Sequence, residues 1–329
     1  MNTLMIYGAA GYTGGMAAEH AASAGLNLVL AGREKDRTTL EAMARSLGAS
    51  IRLFSLDDAD AVATGLDGIS VLLNAAGPFA NTAEPLISAA IRAGVHYLDF
   101  SAELDTYREA LALDARARAA GVMLLPGSGG SVAMLGSLAG HAVARVRNPR
   151  KISIALDVAG TMSRGSAISA SQNIAPETLQ LVDGELVTRG PDELRDFDFG
   201  SGPRSSFPVT LPDLFTIYHA TGVSDVETFV HVSAGAFPTG EVKQMPPGPS
   251  FEEREASRYH AAVEVTDADG TVVRSLLDTV NGYTFTATAA VEAARRVLAG
   301  EVRPGFQTPS GLFGNGFAET IADTRIIDL

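Results

Sequence analysis

The chain has 329 residues, 46% of them hydrophobic and 6% aromatic, with no tryptophan, no cysteine and a formal charge of -13. That length fits two domains, and the apolar content is that of a folded, alanine-rich soluble protein. The acidity argues against nucleic acid as a partner, because phosphate-backbone binding needs a basic surface, and the missing cysteines remove disulfides, thiolate nucleophiles and Cys-ligated metals.

The amino terminus runs into a strand-like segment with no basic start or cleavage site, and no apolar stretch approaches about 20 residues, so no leader and no membrane span are expected and the cytoplasm is the expected compartment. Apolar runs at Thr3–Tyr7, Leu26–Ala31, Ser50–Phe54, Val71–Ala75, His96–Phe100 and Val122–Leu125 alternate with helical patterns at Gly14–Ala24, Arg37–Leu47, Asp58–Thr64, Glu84–Ala93 and Thr106–Ala120. Strands joined by helical crossovers predict an α/β fold with a doubly wound parallel sheet, a Rossmann domain over residues 1–130. After a helical stretch at Ser131–Val146 the pattern changes. Lys151–Val158, Phe207–Pro212, Glu227–Ser233, Ala261–Thr266 and Val272–Thr279 read as strands with no helix between each pair, and the turn Asp267-Ala268-Asp269-Gly270 makes a hairpin of the last two. Residues 131–329 are therefore expected to form an α+β domain with a largely antiparallel sheet. Within it Asp183–Gly202 reads as a poorly ordered linker, and the proline-rich Gly240–Phe251 as a loop over or beside the site. A final helix is expected at Tyr283–Leu298, able to pack back on the first domain.

The motifs lie at the ends of these elements. Gly8, Gly11 and Gly14 stand in a GxxGxxG spacing between the first strand and the first helix. Gly8 suits a tight turn, Gly11 lets backbone approach a pyrophosphate, and Gly14 lets helix and strand pack closely, with Tyr12 and Thr13 at the helix N-terminus where the dipole favours an anion. Arg33 ends the second strand, where a carboxylate would accept the ribose hydroxyls of NAD; a guanidinium suits a 2′-phosphate instead, and Lys35 and Arg37 extend the cluster, so NADP is the expected cofactor. Asp57, past the third strand, is placed to approach the adenine, and Ala76, Gly77, Pro78 and Phe79, past the fourth, to lie along the middle of the cofactor. Asp99 and Glu103, past the fifth strand, and Ser128, past the sixth, are candidates to move a proton or to hold a carbonyl; a helix-capping role for the two carboxylates stays open. In the second region Arg164 and Ser166 fall at a helix start suited to a carboxylate or phosphate, and Tyr283 opens the last helix, which makes these three the candidate substrate contacts. The six histidines show no HxxxH or HxxE spacing, so no metal is expected. No tyrosine has a lysine four residues on, which excludes a short-chain dehydrogenase dyad.

The pieces GAAGYTG, AGR, NAAGPF, AGVHYLDFSAE and the late TPSGLFGNGF, in this order, resemble the saccharopine dehydrogenase-like oxidoreductases, and most of all the branch that holds the trans-acting enoyl reductases. The resemblance implies an NADP-dependent hydride-transfer enzyme, usually dimeric, acting on a small-molecule or acyl substrate, with the dinucleotide domain followed by a substrate-binding and dimerisation domain. Members act on C=N and on C=C bonds, so membership does not choose the substrate. The chain departs from that branch at Ala102-Glu103 and at Pro126–Gly130. A non-catalytic NADP-sensing or regulatory protein stays open as the alternative.

Overall fold

A computed structural model describes residues 2–172, 177–190, 194–232 and 244–329. In the first part of the chain, strands β1 (Thr3–Tyr7), β2 (Asn27–Gly32), β3 (Ser50–Leu53), β4 (Val71–Asn74), β5 (His96–Asp99) and β6 (Met123–Leu125) alternate with helices α1 (Tyr12–Ser23), α2 (Arg37–Leu47), α3 (Ala59–Gly65), α4 (Phe79–Ala93), α5 (Leu104–Ala112) and α6 (Asp114–Ala119). Then follow α7 (Gly130–Val143), β7 (Pro149–Val158), α8 (Arg164–Gln172), β8 (Thr178–Val182), β9 (Glu185–Arg189), β10 (Arg195–Asp198), β11 (Pro203–Pro208), α9 (Asp213–Thr221), β12 (Asp225–Val232), α10 (Phe251–Glu255), β13 (Tyr259–Asp267), β14 (Val272–Thr279), α11 (Gly282–Leu298), β15 (Gly305–Phe306), α12 (Pro309–Phe313) and β16 (Arg325–Asp328). The chain divides into two units: residues 1–129 with 286–307, and residues 130–285 with 308–329.

The first unit is built on a seven-stranded sheet in the order β15-β6-β5-β4-β1-β2-β3. Every pairing in it is parallel. Its central strand β1 and its neighbour β4 are buried along their whole length, which is why they read as unbroken apolar runs: crossover helices leave a parallel strand no solvent face. Strand order reverses between β1 and β4, so the crevice outside their carboxyl ends is the place where such sheets bind ligands. The helix expected over Thr106–Ala120 is broken into α5 and α6. The Leu113 amide bonds back to both Glu109 and Ala110, and Asp114 turns its carboxylate to the Phe306 amide of β15 at 2.7 Å, so the break follows from a partner nearly two hundred residues away.

The second unit carries a nine-stranded sheet whose main path is β10-β11-β12-β7-β13-β14-β16, with β8 and β9 branching from β12. It is mixed: β12 and β7 pair in parallel over eight residues, and the other pairings are antiparallel. Helix α7, buried from Val132 to Gly140, lies on one face beside α9 and α12. It can approach closely because a Cβ at Gly136 would stand 2.8 Å from the Ser310 hydroxyl. On the other face Ala155, Phe197, Phe199, Phe229, Ala262 and Leu276 form a buried cluster.

The Asp183–Gly202 stretch is not the expected poorly ordered linker, since it supplies β9 and β10. Residues 191–193 of it lie outside the described residues, and its two arginines are met by distant partners. The Arg189 guanidinium lies 4.6 Å over the Phe229 ring, and Arg195 bonds Ser153 at 2.7 Å and Glu227 at 3.2 Å. Of the expected loop Gly240–Phe251, residues 240–243 lie outside the described residues. Among the described residues no helix is long and apolar enough to cross a membrane.

Candidate functional site

At the end of β1, Gly8 takes φ +87, a region closed to most side chains, and a Cβ there would stand 2.8 Å from the Ala76 amide nitrogen. A Cβ at Gly14 would collide with the Gly8 carbonyl oxygen and stand 3.1 Å from both the Ala75 Cβ and the Ala9 Cα. These two glycines let β1, α1 and the segment after β4 touch. Gly11 differs from both. It is the N-cap of α1 in an extended conformation, its side chain supplies no cap, and a Cβ on it would meet only the Gly8 oxygen at 3.2 Å. The N-cap of α1, ahead of the first turn that holds Tyr12, Thr13 and Gly14, thus carries no Cβ. First-turn amides have no intrahelical acceptor and carry the positive end of the helix dipole. Such a cradle fits a dinucleotide pyrophosphate.

The segment leaving β4 is held from below. Asn74 accepts the Ala76 amide at 3.0 Å and donates to Thr82 and to Tyr97, each at 3.1 Å, while Thr82 donates to the Ala76 carbonyl at 2.7 Å. Gly77-Pro78 leads into α4, with Pro78 as its N-cap and Phe79 buried as its first residue. At the end of β2, Arg33 is exposed and its Nε lies 3.8 Å from Asp36, whose carboxylate accepts the Arg33 amide at 3.2 Å. Arg37 is engaged by Glu34 at 2.7 Å and Glu41 at 3.6 Å. Of the expected cluster, Arg33 and the exposed Lys35 are thus the cations least committed to the protein. Asp57 is exposed and accepts from Ser55 at 2.9 Å. The Tyr7 ring packs against Phe54 in a tilted pair with centroids 5.0 Å apart; burial raises its phenol, opposed by the Arg33 charge.

Asp99 and Ser128 come together, in a buried knot. Asp99 is fully buried. Its Oδ1 accepts from the Ser101 amide at 2.9 Å, the Ser101 hydroxyl at 2.8 Å and the Gly127 amide at 2.7 Å, and its Oδ2 accepts from Tyr97 at 2.9 Å. Burial pushes the carboxyl up to about 6, against the pull of the Gly127, Ser101 and Tyr97 hydrogen bonds. Ser128 spends both its amide and its hydroxyl on the Asp99 carbonyl, at 3.0 and 3.1 Å. Chemically the knot locks the ends of β4, β5 and β6 to one another. Glu103, N-cap of α5 and 9% exposed, accepts the Ala102 amide with Oε2 at 3.0 Å, and its Oε1 has no hydrogen-bond partner among the described residues.

In the second unit Ser166 and Tyr283 are brought into contact at 3.0 Å. The same phenol oxygen accepts the Ser163 amide at 2.7 Å, and Ser163 caps α8 by accepting the Ser166 amide at 3.1 Å. Arg164, first residue of α8, is exposed. Its amide bonds to the Pro247 carbonyl at 3.2 Å, leaving the guanidinium at the dipole-positive end of the helix. Sequence reasoning missed Asn74, Tyr97, Ser101 and Ser163. Only Ser163 had a local signal, a serine three residues before Ser166 at a helix start. Among the described residues no three of His, Asp or Glu stand together as a metal site.

Comparison with known proteins bears on the first unit above all. Residues 4–125 match the family model described as saccharopine dehydrogenase NADP binding domain. The trans-acting enoyl reductases of Mycobacterium bovis (strain BCG / Pasteur 1173P2) and Mycobacterium tuberculosis (strain ATCC 25618 / H37Rv) are each 32% identical over 117 residues, 33% of this chain and 28% of the reductase; the match thus spans under a third of those proteins. Among solved structures the apo saccharopine dehydrogenase (L-Glu forming) from Saccharomyces cerevisiae superposes with a TM-score of 0.69 at 13% identity, covering 100% of both chains, which shows a shared fold.

Proposed function

We infer, from a chain whose residues 4–125 match the family model of the saccharopine dehydrogenase NADP binding domain, that the protein is an NADP(H)-dependent oxidoreductase transferring hydride to or from a C=N, C=C or C=O bond of a small-molecule or acyl substrate. The single observation that carries this reading is the glycine turn that caps α1. Gly8 and Gly14 are required by packing, whereas a Cβ at Gly11 would meet only the Gly8 oxygen at 3.2 Å, so the missing side chain there suits the close approach of a ligand.

Gly11, Tyr12, Thr13 and Gly14 would hold the pyrophosphate, Arg33 and Lys35 the 2′-phosphate, Asp57 the adenine side, and Ala76 to Phe79 the middle of the dinucleotide. The cofactor supplies the hydride, and the protein orients, excludes water and manages the proton. The Asp99 knot positions the loop that carries Ser128 at the carboxyl end of β6; fully buried and with both oxygens engaged by Tyr97, Ser101 and Gly127, it acts as a positioning group. Arg164, with Ser166 and Tyr283 beside it, is the proposed anchor for an anionic group on the substrate, since a guanidinium at a helix N-terminus adds its charge to that of the dipole. We place the protein in the cytoplasm as a homodimer; the exposed Val182, Val187 and Phe207 of β8, β9 and β11 support a contact on the second sheet, and light scattering tests it.

One observation favours the alternative, a non-catalytic NADP sensor: the Asp99 carboxylate is fully buried with both oxygens bonded within the protein. The deciding experiment is a screen of NADPH oxidation against imines, enones and enoyl thioesters, followed by Arg164→Ala. The enzymatic reading expects turnover in one class and a KM raised at least tenfold in the variant with NADPH affinity unchanged. Bound NADPH with no turnover in any class overturns it in favour of the sensor, and an unchanged KM removes the anchor.

A further inference from the structure

The turn that leaves β2 carries a charge pair. Arg33 follows the strand, and Asp36 lies three residues on, at the end of a single helical turn over Glu34–Asp36. Asp36 Oδ2 accepts the Arg33 amide at 3.2 Å and lies 3.8 Å from Arg33 Nε; Oδ1 takes part in neither contact. The carboxylate lies against the end of the strand, since a Cβ at Gly32 would stand 3.4 Å from Asp36 Oδ2 and 3.6 Å from its Cβ. Within the fold the pair does little. The Arg33 side chain is 60% exposed and that of Asp36 27%, and an exposed pair at this distance adds little to stability. A carboxylate whose task was to close the turn would be replaceable by any neutral acceptor, because the group it accepts from is one backbone amide. The charge itself is left over.

The pair stands next to the glycine turn, in the same unit of the chain. Strands β1 and β2 are neighbours, about 4.8 Å apart, with Tyr7 level with Ala31, and the Gly8 amide donates to the Ala31 carbonyl at 2.8 Å. The two turns therefore leave the sheet side by side, and a pyrophosphate on the first turn of α1 puts the ribose of the adenosine half at the end of β2. The Tyr7 phenol reports the same convergence: burial raises it, Arg33 lowers it, and Asp36 and Asp57 raise it. One cation and two carboxylates thus act on one point. Of the carboxylates, Asp57 accepts the Ser55 hydroxyl at 2.9 Å. Of the other charges in the turn, Arg37 is held by Glu34 at 2.7 Å and Glu41 at 3.6 Å, and Lys35 is exposed.

We propose that Asp36 sets the cofactor preference of this chain, competing with the 2′-phosphate of NADPH for Arg33 and accepting the 2′-hydroxyl of NADH with its outer oxygen. The two dinucleotides differ only at that position of the ribose. A 2′-phosphate carries about -1.5 to -2 charges near pH 7, so it needs a cation and is repelled by a carboxylate. A 2′-hydroxyl has a proton to donate, and a carboxylate is its strongest acceptor. A guanidinium and a carboxylate oxygen side by side offer a partner to each, so the protein binds both, with NADPH ahead by less than Arg33 and Lys35 alone would set. The assignment rests on the dinucleotide placement proposed above and adds to it a residue whose effect on the two cofactors has opposite signs.

The test is calorimetric titration of NADPH and of NADH into wild type, Asp36→Asn, Asp36→Ser and Arg33→Ala, and it needs no turnover. Asparagine and serine both keep an acceptor for the Arg33 amide, so the two Asp36 variants should melt with wild type. Each should bind NADPH about 3- to 10-fold more tightly, with the competing charge gone. Each should bind NADH about 10-fold more weakly, having lost a charge-assisted hydrogen bond. Arg33→Ala should weaken NADPH and leave NADH within about threefold of wild type. Shifts of the same sign for both cofactors in the Asp36 variants, as loss of the turn alone would give, or a shift in one cofactor or in neither, overturn the assignment and leave the dinucleotide reading standing. Arg33→Ala that holds NADPH as tightly as wild type removes the phosphate contact and the competition with it. A wild type that binds neither dinucleotide overturns the oxidoreductase reading and this assignment together.

Discussion

Two substitutions in the glycine turn separate packing from binding. An alanine at Gly14 brings its Cβ into collision with the Gly8 carbonyl oxygen and to 3.1 Å from the Ala75 Cβ and the Ala9 Cα. In an open helix the exchange would gain about 1 kcal/mol. Overpacking costs about 1–3 kcal/mol, and because two of the three atoms struck are backbone, which yields least, a net loss of about 2 kcal/mol is expected. For a unit of about 150 residues that lowers Tm by about 4–8 °C. Gly11→Val meets only the Gly8 oxygen, at 3.2 Å, from backbone angles of -78 and 166 that valine accepts, so its own cost is about 0.5–1 kcal/mol from the poorer N-cap. NADPH at a hundred times its Kd should stabilise wild type by about 2.7 kcal/mol, a rise of about 5–10 °C. Differential scanning calorimetry with and without NADPH reads both effects. Gly14→Ala should melt early yet keep the NADPH shift, and Gly11→Val should melt near wild type and lose it. A Gly11→Val protein with the full shift would refute the placement of the pyrophosphate, and a Gly14→Ala protein as stable as wild type would refute the packing argument.

Arg33→Asp should weaken NADPH by about 1.5–3 kcal/mol, roughly 10- to 100-fold in Kd, with little loss for NADH; calorimetric titration showing equal affinity of wild type for the two would end the 2′-phosphate assignment. Asp99, raised by burial to about 6, contributes stability that is fully present below about pH 4 and is lost as pH rises through 6. In urea titrations Asp99→Asn should therefore gain on wild type by on the order of 3 kcal/mol between pH 4 and pH 7; a pH-independent difference contradicts the raised value. Burial pushes Glu227 up, but Lys151 and Ser153 outweigh it and hold the carboxyl below the usual range, so Glu227→Gln should cost about 3 kcal/mol at pH 7 and much less at pH 3, with a loss that is the same at both pH values counting against the ion-pair account.

What the amino-acid sequence determined by itself is whatever depends on neighbours in the chain. The central strands of the first sheet were legible because a parallel strand covered on both faces must be apolar throughout, as β1 and β4 are, and the cofactor turn because its glycine spacing lies within seven residues of chain, Gly8 to Gly14. Arg33 could be placed at a strand end by counting from that turn. The rest was decided by partners far away. Strands β9 and β10 read as a linker because Arg189 and Arg195 look solvated until Phe229, Ser153 and Glu227 are beside them, and β15 is only two residues long. Asp99 read as a free acid at a strand end; Gly127, 28 residues on, turns it into a bolt between strands. Asp213 carried no local signal of its burial, since the hydroxyl that donates to it, on Ser131, lies 82 residues earlier. Backbone conformation is a local property that side-chain type reveals, whereas burial and hydrogen-bond partnership of a polar group exist only once distant segments have packed, and it is those two quantities that set what a carboxyl can do.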